Sequence, residues 1–99
     1  MNQGGFAYLL TNTRHTVLYV GSTRDLCQRV DFHKRRLLDG FTKKYNVDKL
    51  VYFEAHSTIA SAQARETQLK GMSRGKKSKL ISAANPSWQD LYTRLAMGF

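Results

Sequence analysis

The chain has one cysteine, one proline and only seven acidic residues among its 99 positions. A lone Cys27 excludes an intramolecular disulfide framework and fits a reducing compartment; on a helix it reads as a small core residue. No apolar run approaches the roughly 20 residues needed to span a bilayer. The opening MNQGGF has neither the charged start nor the apolar stretch of a secretory signal, so the expectation is a cytoplasmic protein. His15, His33 and His56 are scattered, and with a single cysteine they give no zinc-ligand spacing. The acids are spread without a carboxylate pair, which argues against a two-metal site. No serine or cysteine stands in a nucleophile turn. The segment GMSRGKKS is one residue short of a P-loop and follows a helix instead of a strand, so no nucleotide cofactor is expected.

What the chain has in excess is positive charge: sixteen Lys and Arg give a formal +9. On a small domain this is the electrostatic footprint of a protein that meets a polyanion, nucleic acid first and an acidic membrane surface second. With 41% hydrophobic and 11% aromatic residues, the composition is that of a globular protein. The length predicts one domain over residues 1–99.

Phe6 to Leu10 and Val17 to Gly21 read as two strands of an antiparallel hairpin joined by TNTRHT. Pairing Leu10 with Val17 sets Tyr8 opposite Tyr19 and Phe6 opposite Gly21, all on one face, with Gly21 as an open floor beside the tyrosines. Ser22 and Asp25 fit a capping pattern for a helix running to about Leu38, ended by Gly40. Its apolar stripe is Leu26, Val30, His33 and Leu37, and Arg29 lies one turn from His33. GFTKKYNVDK is a basic loop in which Lys43 and Lys44 could follow a phosphate backbone. Leu50 to Ala55 is a third strand.

Ser57 or Thr58 caps a further helix with the inward stripe Ile59, Ala62, Glu66 and Leu69. A carboxylate in such a stripe is costly unless it is paired or holds a metal; a bridge to Lys70 one turn on is the plain alternative. Gly71 and Gly75 break this helix, with a new one starting near Lys76. Arg74, Lys76, Lys77 and Lys79 are candidate phosphate contacts. Asn85-Pro86 stops that helix, and Ser87 to Asp90 repeats the capping pattern before a last amphipathic helix carrying Trp88, Leu91, Tyr92 and Leu95.

These residues cover the roles that phosphodiester cleavage needs. Arg29 would grip the scissile phosphate through its forked guanidinium. Glu66 would hold one Mg²⁺ on the leaving oxygen. Tyr8, Tyr19 and His33 would orient water or take its proton; a free tyrosine titrates near pKa ~10 and needs help to act as a base, whereas histidine does not.

In this order, Ala7-Tyr8-Leu9, Tyr19-Val20-Gly21, Arg29, His33 and Glu66 resemble the GIY-YIG (URI) nuclease superfamily, over about Phe6 to Leu91. Glu66 to Lys70 and Asn85 to Leu91 resemble segments of its small stand-alone bacterial members. The resemblance implies an α+β fold in the order ββαβαα, a three-stranded antiparallel sheet flanked by helices. It also implies cleavage of DNA with a single divalent ion, Mg²⁺ or Mn²⁺, held by Glu66. It makes Tyr8 and Tyr19 the paired tyrosines, Gly21 the site glycine, Arg29 the phosphate arginine, His33 its helix partner and Asn85 a supporting residue. AYL stands where the family has GIY, and Gln28 where close relatives often carry another arginine. Two other functions fit the same residues: a nucleic-acid-binding domain without catalysis, and an accessory subunit that docks on a larger DNA repair complex through its C-terminal helix, which would show as an exposed Trp88 face.

Overall fold

The computed structural model describes residues 4–38 and 40–97. Three strands, β1 (Gly5–Thr11), β2 (Leu18–Thr23) and β3 (Lys49–His56), form one sheet in the order β2-β1-β3, antiparallel at both junctions. Helices α1 (Leu26–Lys34) and α2 (Phe41–Lys44) lie between β2 and β3, and α3 (Ile59–Lys70), α4 (Arg74–Ala84) and α5 (Tyr92–Ala96) follow. This is the expected α+β architecture, with the one-turn α2 added; the expected last helix is the short α5, which starts at Tyr92 and leaves Trp88 and Leu91 outside it.

The sheet is covered on both faces, which explains why β1 is apolar almost throughout instead of alternating. Tyr8 and Leu10 pack with Leu26 and Val30 of α1 and with Leu91 on one face. Ala7, Leu9, Val20 and Val51 pack with Leu69 of α3 and Ile81 of α4 on the other. Gly5 lets α3 approach, since a Cβ there would lie 2.9 Å from the Ile59 side chain and 3.0 Å from its Cα.

The hairpin is offset by two residues from the expected register: Leu10 pairs with Tyr19, Tyr8 with Gly21 and Phe6 with Thr23. Asn12 is the cause. Its Oδ1 accepts the N–H groups of Thr16 and Val17, and Thr11 Oγ1 donates to the Val17 carbonyl, so Val17 belongs to the loop. A shift of two preserves side-chain parity, and the tyrosines and Gly21 keep a common face.

The start of α1 also differs. Ser22 and Thr23 continue β2, and Asp25 is the cap, its Oδ1 accepting the Gln28 N–H at 3.0 Å. The helix ends at Lys34 because Arg36 takes a left-handed φ of 58°, held by its bond to Asp48. Leu37, expected in the stripe, is therefore 59% exposed. Cys27 is exposed instead of buried. The loop expected after α1 contains α2, in which Thr42 is buried.

Of the two candidate caps of α3, Ser57 and Thr58, it is Thr58 that caps, its Oγ1 accepting the Ser61 N–H. Gly75 lies inside α4, because Ser73 Oγ accepts the Lys76 N–H and starts that helix two residues earlier than the glycine suggested. Ser87 caps nothing; Trp88 sits in a left-handed turn, and Asp90 Oδ1 instead accepts the N–H of Tyr92 and of Leu50. Among the described residues no helix is long and apolar enough to cross a membrane.

Candidate active site

Two aromatic residues and a histidine converge beside the edge strand β2. Tyr8 Oη lies 3.4 Å from His33 Nε2, and the Tyr19 ring centroid is 6.4 Å from that of Tyr8 and 5.6 Å from that of His33. Tyr8 is fully buried and His33 almost so. Gly21 is what permits the arrangement: a Cβ there would fall 2.5 Å from Tyr8 Oη. The phenol thus crosses β2 in the space a side chain would take. The open floor expected at Gly21 is occupied by Tyr8, its true cross-strand neighbour.

Burial pushes the Tyr8 phenol well above its usual range; Tyr19 pushes the same way, while the Arg29 guanidinium beside it partly offsets both. Glu66 is near enough to add to the rise, although it comes from the opposite layer of the fold. It belongs to α3, and reaches the edge strand where Ser22 Oγ donates to its Oε1 at 2.5 Å. Lys70 pairs with its other oxygen at 2.8 Å. Burial alone would raise the Glu66 carboxyl, but the hydrogen bonds from Lys70 and Ser22 prevail and hold it below the usual carboxylate range. Of the two readings of this acid from sequence, the Lys70 bridge is present, and Glu66 also meets Ser22 at the edge strand.

His33 is held from behind by Thr42 Oγ1, 3.1 Å from Nδ1. Thr42 and Ser22 are the site neighbours that sequence reasoning did not find. Neither has a motif, since Thr42 lies on a four-residue helix and Ser22 fits a helix-cap pattern equally well. Burial, and then the charge of Arg29, lower the His33 pKa to about 4.

That shift has a sign that can be checked. With the ordinary value of 6.5 in the unfolded chain, the unfolded state binds the extra proton over roughly pH 6.5 to 4 and the folded state does not. Stability falls as the pH falls through that window, by about 2 kcal/mol between pH 7.5 and 5. Urea unfolding at the two values measures it; equal or greater stability at pH 5 would show that His33 is not buried neutral.

The catalytic-domain model of the GIY-YIG family matches residues 4–79. This chain belongs to the GIY-YIG family. It is 33% identical over 78 residues to the UPF0213 protein CPE1444 of Clostridium perfringens, covering 79% of this chain and 83% of that one. It is 38% identical over 64 residues to a UPF0213 protein of Staphylococcus aureus, covering 65% and 78%. The solution NMR structure of the UPF0213 protein BH0048 from Bacillus halodurans shares the fold, with a TM-score of 0.55 and 24% identity over 88% of this chain and 92% of that one.

Other residues of this GIY-YIG chain fall away from the cluster. Asn85 is buried in the α3 and α4 layer, where its Nδ2 donates to the Val51 and Gln89 carbonyls and its Oδ1 accepts the Gln89 N–H. It fastens the end of α4 to β3 and does not support the site. Arg74 donates to the carbonyls of His15 and Thr16 at 2.7 and 3.0 Å, so its guanidinium is engaged in fixing the hairpin loop. Arg74→Gln is accordingly expected to lower stability by about 0.5–1 kcal/mol and to leave the salt dependence of nucleic-acid binding unchanged; a drop in that dependence would return Arg74 to the phosphate contacts. Lys43, Lys44, Lys76 and Lys79 are exposed and Lys77 half-buried. Lys44 lies over the Tyr45 ring.

Proposed function

We propose that this chain is a metal-dependent endonuclease that hydrolyses phosphodiester bonds in DNA with one divalent ion, Mg²⁺ or Mn²⁺. The observation that carries the reading is the convergence of Tyr8, Tyr19, Arg29, His33 and Glu66, from β1, β2, α1 and α3, on the ground around Gly21. Membership of the GIY-YIG family and the +9 charge support it.

The donor set fits a hard cation. Among the described residues no three His, Cys, Asp or Glu side chains gather at one point, and Glu66 is the carboxylate of the cluster. One carboxylate with the rest of the shell left to water suits Mg²⁺. Glu66 would hold the ion, with Lys70, a 60% exposed side chain, turning aside. The ion would supply Lewis-acid stabilisation of the leaving oxygen.

The remaining steps belong to side chains. Arg29 grips the scissile phosphate and offsets charge building on it. Tyr8, kept protonated by its burial, is no phenolate base at neutral pH. Its hydroxyl donates to His33 Nε2 and positions the imidazole. That contact requires the tautomer in which His33 Nδ1–H donates to Thr42 Oγ1, so Thr42 also orients the imidazole. Tyr19, half-buried at the mouth, orients the water or the phosphate. The work is assigned to the cytoplasm.

One observation favours a second reading, a binding domain without catalysis: Glu66 already has a cation partner in Lys70. Plasmid nicking by purified protein with Mg²⁺, Mn²⁺ or EDTA decides between them. Metal-dependent nicking is the expected result; binding without any metal-dependent product would establish the second reading. The docking reading finds less here, since Trp88 is half-buried with its ring 5.0 Å from that of His15.

A further inference from the structure

A groove of about 580 Å³ adjoins the site at Arg29 and Ser22. It falls within the size range of small-ligand sites, roughly 300–1,000 Å³. One wall is the end of β2 and the first turns of α1, carrying Arg24, Gln28 and Arg29; the other is α3, with Ile59 and Gln63. Ser22, which holds Glu66, stands at the inner end. The groove thus includes Arg29 and reaches the serine that holds Glu66.

Its polar ends are uncommitted. Among the described residues the side chains of Arg24, Gln28 and Gln63 form no hydrogen bond or ion pair within the protein, and all three are exposed. Arg36, Arg65 and Arg74, by contrast, are spent on Asp48, on Glu54 and on the hairpin loop. The lining has one carboxylate, Asp25, and one of its oxygens is occupied in capping α1. Two guanidiniums outweigh it.

A guanidinium fork on one wall, with an amide and an apolar side chain on the facing wall, matches a phosphate followed by a sugar. We propose that this groove is a subsite for the nucleotide adjoining the scissile phosphodiester, with Arg24 on the neighbouring phosphate, Gln28 and Gln63 donating to it from opposite sides, and the sugar over Ile59. The subsite rests on the nuclease reading and deepens it, because it gives the bound strand a direction. The strand leaves the site between α1 and α3, not across the lysines of α4.

The test uses the Glu66→Ala protein, so that binding is measured without cutting, and oligonucleotides in which a single phosphate on one or the other side of the mapped cut is an uncharged methylphosphonate. One of the two replacements is expected to weaken binding about tenfold. Adding Arg24→Gln should weaken binding to the unmodified strand by a similar factor, lower the salt slope by about one, and abolish the response to that methylphosphonate. Gln63→Glu, at an exposed helical position, should weaken binding further, and Arg94→Gln on α5 should change nothing. Wild-type affinity and slope for both Arg24→Gln and Gln63→Glu, in a protein whose parent cuts, would overturn the subsite and leave the nuclease standing. Failure of the parent to bind or cut any nucleic acid would overturn both.

Discussion

Glu66→Gln is expected to reduce metal-dependent cleavage by roughly 10³-fold or more while leaving DNA affinity within a few-fold of wild type, since the ion acts on developing charge and Arg29 holds the ground-state phosphate. The amide keeps an acceptor for Ser22 Oγ, so a folding defect is not the expected cause of the loss, and an unchanged melting temperature would exclude it. Lys70→Ala separates the two functions of this acid. If Lys70 only shields the carboxylate until an ion arrives, its removal lowers the metal concentration needed for half-maximal cleavage. If the pair is structural and nothing more, Lys70→Ala lowers stability by about 0.5 kcal/mol, as for other helical i, i+4 pairs, and the metal dependence stays where it was. A Glu66→Gln protein that cuts at the wild-type rate would remove Glu66 from the metal and with it the one-ion scheme.

How much of this could be read from the residues depends on the range of the interaction behind each feature. The three strands, the capping of α3 by Thr58 and the stop at Asn85-Pro86 are local, written in periodicity and in the chemistry of single side chains. The faces of β1 and β2 were also legible, because alternation survives a two-residue slip. The register itself was not, since it turns on Asn12 folding the loop back on Val17. Asp25 and Ser22 show the same limit. Both can cap a helix, and only the pairing of Ser22 with Ala7 on the neighbouring strand decides that Asp25 does so. Cations are the extreme case. Arg74 and Lys77 look alike in a basic run, yet Arg74 is occupied by carbonyls 58 and 59 positions away. Arg24, outside any run, faces the groove.

Gly21→Ala should be among the most damaging single-methyl changes in the chain. The added Cβ would lie 2.5 Å from Tyr8 Oη, 2.6 Å from Cζ and 3.0 Å from Cε2, and the rigid Tyr8 ring is fully buried between sheet and α1. Either the ring leaves its place or β2 moves away from β1. Overpacking of this kind costs about 1–3 kcal/mol, and a Tyr8 hydroxyl buried away from His33 adds roughly 1–3 more. A loss of roughly 3 kcal/mol in unfolding free energy and about 10²-fold in cleavage rate is expected, the latter from misplacement of His33 and its neighbours. Second-site changes distinguish crowding from a backbone effect. Tyr8→Phe removes the oxygen but leaves Cζ and Cε2 in the way, so it should restore little stability to the Gly21→Ala protein. Tyr8→Leu clears the space and should restore most of the stability with none of the cleavage. A Gly21→Ala protein within 0.5 kcal/mol of wild type would mean that β2 gives way freely at this point, and the tight crossing of Tyr8 over Gly21 could not then be what positions the phenol against His33.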